Sequence, residues 1–61
     1  MGTNINKAYQ IVKDKSYPID GRITYAHFVL ARLSQGEAIK VEDRDRAFAV
    51  CNEVIGDSIE F

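Results

Sequence analysis

The stretch Ile23-Thr24-Tyr25-Ala26-His27-Phe28-Val29-Leu30-Ala31-Arg32-Leu33-Ser34-Gln35-Gly36 decides the fold. Wound as a helix, it places Ile23, Ala26, Leu30 and Leu33 on one apolar stripe. Val29, Tyr25 and Phe28 then carry that stripe round to roughly 220° of arc. Thr24, His27, Ser34 and Gln35 are left as the main polar strip. A helix with a single neighbour needs far less apolar surface. The stretch is therefore expected to form the central helix of an all-α domain, touching two other helices and, with the rest of its arc, a further protein. Its bounds are read as about 22–35, with Asp20 or Thr24 as cap and Gly36 as the left-handed residue that ends it.

On the N-terminal side, Ile5, Ala8, Tyr9 and Val12 fall at i, i+3, i+4 and i+7, which predicts a helix over about 4–15 with one buried face. Thr3 or Asn4 can cap it, and Lys13 and Lys15 suit the negative end of its dipole. Between the two helices lies Ser16-Tyr17-Pro18-Ile19-Asp20-Gly21, read as a loop because Pro18 disfavours helical geometry at Tyr17. A rival reading makes Asp20-Gly21 the tight turn of a small hairpin within 17–25. On the C-terminal side, Ala47, Phe48, Cys51, Val54 and Ile55 recur at helical spacing and predict a third helix over about 42–55, ended by Gly56. Glu42, Asp43 and Asp45 crowd its start, where acidic groups complement the dipole, and Glu42 and Arg46 are spaced to pair. The tail Asp57-Ser58-Ile59-Glu60-Phe61 carries two large apolar groups and is expected to fold back on the bundle or on a partner.

The expectation is thus one domain, residues 1–61, built as a compact three-helix bundle. A chain of this size buries only about 60% of its unfolded surface, so it is marginal alone. With one cysteine there is no disulfide frame and no multi-cysteine zinc site, which leaves association, most simply with a second copy, to make up the difference. Tyr25, Phe28, Val29 and Arg32 on the back of the middle helix, Arg44 within the apolar face of the third, and Phe61 in the tail are the candidate protein-interface residues. Aromatic residues and Arg are the types enriched at the centre of such interfaces.

Other functions find less support. Cys51 sits in a core stripe and His27 on the edge of an apolar arc, so a thiol–imidazole pair is not expected and no enzyme activity is read from them. Asp43-Arg44-Asp45 lacks the glycine and distal Glu of a calcium loop, and no phosphate-loop pattern surrounds Asp20-Gly21. Met1-Gly2 would need Ser or Thr at position six for myristoylation, where Asn6 stands. No cofactor or metal is expected. Eight Lys and Arg against nine Asp and Glu give a net charge of −1, with the cations scattered, so nucleic acid is a disfavoured partner. A helix-turn-helix DNA-binding regulator remains the alternative on helix count alone. No apolar run, Phe28–Ala31 included, comes near a membrane span of about 20 residues, and no secretory signal is visible. The reading is a cytoplasmic interaction module with a regulatory, adaptor or inhibitor role.

Overall fold

Asn4 holds an extended backbone, and its side-chain Oδ1 accepts the Lys7 N–H at 2.8 Å, so the chain turns helical at the next residue. In the computed structural model, which describes residues 4–57, this begins α1 (Ile5–Lys13). Ile5, Ala8, Tyr9 and Val12 are all buried on one face, as the periodicity predicts. The helix stops at Lys13 rather than Lys15 because Asp14 closes a turn of its own. Its Oδ1 accepts both the Ser16 N–H at 3.0 Å and the Ser16 hydroxyl at 2.6 Å. Those two bonds hold the Asp14 carboxyl below the ordinary carboxylate range.

The second helix starts earlier than the sequence suggests. α2 (Ile19–Ser34) follows directly on Pro18, whose carbonyl accepts the Arg22 N–H at 3.1 Å. The loop reading holds for 16–18 but not for 19–21, and the hairpin reading fails, since Ile19, Asp20 and Gly21 belong to the first turn of α2. A proline just ahead of a helix forfeits no helical hydrogen bond, so Pro18 introduces α2 instead of delaying it. Neither expected cap acts as one. Thr24 instead donates its hydroxyl to the Asp20 carbonyl at 3.0 Å, one turn back. Gly36 ends the helix as expected, at φ +99°. The Gly36 N–H reaches the Leu33 carbonyl at 3.0 Å and the Glu37 N–H the Arg32 carbonyl at 3.1 Å, the two bonds of a Schellman cap.

The connector 35–43 is pinned at three points, two of them on α1. Ile39 is buried in the core, the Lys40 N–H donates to Asn6 Oδ1 at 2.8 Å, and the Tyr9 hydroxyl donates to Glu42 Oε2 at 3.1 Å. The expected Glu42–Arg46 pair is therefore not formed. Glu42 lies ahead of the helix, and its carboxylate serves Tyr9. Asp43 starts the last helix, its Oδ1 accepting the Arg46 N–H at 2.7 Å, so α3 (Arg44–Asp57) begins two residues after the expected position. Gly56 does not end it. Its backbone stays out of the left-handed region, and the helix runs on through Asp57.

The result is an all-α three-helix domain with α2 in the middle, packed against both α1 and α3, which touch each other much less. Tyr9, Leu33, Val12, Val29 and Cys51 are its largest fully buried side chains. Two arginines tie consecutive helices end to start. Arg22 Nε donates to the Val12 carbonyl at 3.0 Å in the last turn of α1, and Arg44 Nη2 donates to the Leu33 carbonyl at 2.6 Å in the last turn of α2. Each places a cation at the negative end of the preceding helix, where carbonyls lack intrahelical donors. The tail expected to fold back, 58–61, lies outside the described residues.

Candidate interaction surface

The outer flank of α2 carries a row of side chains one turn apart. It starts in the preceding turn, where the Tyr17 ring lies across Gly21. A Cβ at Gly21 would stand 3.0 Å from Tyr17 Cδ2 and closer still to Cε2, so the bare glycine is what admits the ring. Tyr17 meets Tyr25 edge-on, with centroids 6.3 Å apart and planes at 80°. Phe28 continues the row, with the Arg32 guanidinium over its ring at 5.0 Å. Arg32 Nη1 also meets Glu37 Oε2 at 2.9 Å, with the two side chains 45% and 40% exposed. An ion pair that open contributes little to stability, about 0–1 kcal/mol. What it does is help keep the guanidinium over Phe28.

Tyr25 and Phe28 pack on the core by one edge and remain half-exposed, and Tyr17 is 38% exposed. Val29 is a different case. It is wholly buried among the core residues, so it packs the domain and drops out of the candidate surface. It shares the buried side of α2 with Ala26 and Leu33, which the broad apolar arc concealed. Arg44 is exposed but occupied, with its guanidinium on the Leu33 carbonyl and 5.7 Å from the centre of the Phe48 ring. It splices α2 to α3 and is not a free anchor. Phe61 lies outside the described residues. Tyr17 was missed because its neighbourhood reads as loop. The signal that would have found it is Tyr17, Gly21 and Tyr25 at spacings of four, a small residue between two rings on one helix face.

The chemical alternatives can be placed as well. Cys51 is fully buried and its thiol is pushed up to about 11 by burial, whereas His27 is exposed on α2. A thiol so placed is little ionised at neutral pH and out of reach of substrate. Asp43 is committed to capping α3, and among the described residues no group of His, Cys, Asp and Glu could hold a metal ion. A shallow groove of about 390 Å³ beside the start of α1 includes Asn4 and Asn6, but their side-chain carbonyls are already taken by Lys7 and Lys40. Among the described residues no helix is long and apolar enough to cross a membrane.

Fold and surface together define a class: a small three-helix domain that offers a half-covered aromatic and arginine face. Beyond that class, no protein-family model, curated protein or solved structure matches the chain.

Proposed function

We propose that the chain is a small protein-interaction module that pairs with a second copy of itself through the outer face of α2, and that it serves a regulatory, adaptor or inhibitor role in the cytoplasm. The observation that carries this reading is the row Tyr17, Tyr25, Phe28 and Arg32, left half-open on one flank of the central helix. Self-pairing is supported by the content of the patch. Arg32 and Glu37 stand side by side in it, so a two-fold axis passing between them would set each against its opposite charge on the other copy. A net charge of −1 adds almost no repulsion between copies. The lone cysteine is compatible with a reducing compartment.

Light scattering should give about twice 6.9 kDa. Phe28→Asp should return the particle to monomer at some cost in stability. Arg32→Glu, at an exposed position, should weaken pairing while leaving the helical signal intact. A strictly monomeric parent chain at its highest soluble concentration would remove the self-pairing reading. The helix-turn-helix alternative rests on three helices. The connector 35–43 is long for that motif, and carboxylates at 42, 43 and 45 crowd the start of the would-be recognition helix. Steeply salt-dependent retention of duplex DNA would favour it.

A further inference from the structure

A second surface lies away from the α2 row and shares none of its residues. A groove of about 460 Å³ runs between the C-terminal turn of α1, the start of α2 and the length of α3. Val12 and Val54 form its floor, both buried, and Val50 stays half-exposed beside them. Four cations surround that apolar strip: Lys13, Lys15, Arg22 and Arg46. On the α3 side stand Glu53 and Asp57. The lining therefore carries a net charge of +2, four cations against two carboxylates, on a chain whose own net charge is −1.

None of these cations forms a close ion pair with a carboxylate among the described residues, although the Arg22 charge helps to lower the Asp14 carboxyl. Among the described residues the ion pair is Arg32–Glu37, at the other end of α2. Lys13 lies 5.2 Å from the centre of the Tyr9 ring, and Arg22 uses Nε on the Val12 carbonyl, with no hydrogen bond from its two terminal nitrogens among the described residues. Lys15 and Arg46 are exposed, with no side-chain partner among the described residues. The two remaining carboxylates are spaced one turn apart on a single rim. They would repel any anion that reached that rim, peptide or phosphate alike, and the valine floor would be wasted under a continuous phosphate chain.

We infer that this groove binds a peptide segment in which acidic residues flank a large aliphatic one. The aliphatic side chain sits over Val50 and Val54, and the acids reach Lys13, Lys15, Arg22 and Arg46. Charge complementarity selects the occupant, and the apolar floor separates it from a bare anion. The inference does not depend on α2 self-pairing, because the two surfaces have no residue in common.

The test is a titration of the isotope-labelled full chain with the pentapeptide Glu-Asp-Leu-Asp-Glu, followed by backbone amide shifts. Saturable changes centred on residues 13, 15, 22, 50 and 54 are expected below about 1 mM peptide, weakening as salt is added. The Lys15→Glu/Arg46→Glu variant, altered only at exposed positions, should bind at least about fivefold more weakly with its amide spectrum otherwise preserved. Replacing the central Leu of the peptide by Ser should weaken binding too. Equal binding of Lys-Arg-Leu-Arg-Lys, an unchanged affinity in the double variant, or no saturation by 1 mM would each overturn the inference. Tighter binding of a single-stranded oligonucleotide at the same residues would replace it with a nucleic-acid site.

Discussion

Gly21→Ala is the substitution that most directly tests how α2 is built. In an open helix the change stabilises by about 0.5–1 kcal/mol, because glycine loses more backbone freedom on folding. Here the new Cβ would stand 3.0 Å from Tyr17 Cδ2 and closer to Cε2, so the ring must swing away. Tyr17 would then lose its edge contact with Tyr25, worth about 0.5–1.5 kcal/mol. Ring surface re-exposed by the swing adds a further cost, at about 25 cal/mol for each Å². The cost exceeds the gain, and Gly21→Ala should destabilise by about 1 kcal/mol. For a domain of this size that is a fall in Tm of about 4–8 °C. In a Tyr17→Ala background the obstacle is gone, and the same change should stabilise by about 0.5–1 kcal/mol. Denaturant melts of the four proteins, followed by far-UV circular dichroism, complete a double-mutant cycle with an expected coupling of about 1.5 kcal/mol. If Gly21→Ala stabilised both backgrounds equally, the Tyr17–Gly21 contact would have no energetic reality, and the candidate row would lose its first member.

Two further measurements probe the core. Native Cys51 should react with a thiol reagent at least about 100-fold more slowly than free cysteine at neutral pH, and at the ordinary rate once urea unfolds the chain. Rapid labelling of the folded protein would place the thiol at the surface. Tyr9 provides a pH signature. Burial first, then the hydrogen bond to Glu42 and its charge, push the hydroxyl up to about 12 from an ordinary 10.0. The folded chain thus keeps a proton that the unfolded chain releases near pH 10. That contribution is whole below pH 10 and is lost as pH rises towards 12. Melts across this window should show stability falling for the parent chain, and Tyr9→Phe should flatten the part due to residue 9. An identical decline in the variant would reject the assignment.

Periodic patterns were legible wherever the physics is local. The α1 stripe Ile5, Ala8, Tyr9 and Val12 is buried as its spacing predicts, and of the expected α3 stripe Ala47, Cys51 and Val54 are buried while Phe48 and Ile55 are half-buried, because a helix face depends only on residues a turn apart. Gly36 could likewise be read as a terminator, since a left-handed residue is a local requirement. The candidate surface was half legible. Tyr25, Phe28 and Arg32 were visible as one patch from their helical angles alone.

What the chain could not disclose in one dimension depended on partners far along it. Gly21 looks like a turn until the Tyr17 ring is seen lying on it. Gly56 looks like a stop and is not one. Glu42 looks like the mate of Arg46 until Tyr9, thirty-three residues away, takes its carboxylate. Val29 and Tyr25 read alike as members of one broad apolar arc, yet packing buries the first wholly and leaves the second half-open. The four cations of the groove are scattered in sequence and meet only because α1, α2 and α3 converge there. Helix formation is decided by neighbours in the chain. Which face is covered, and which charges gather, is decided by how three helices pack.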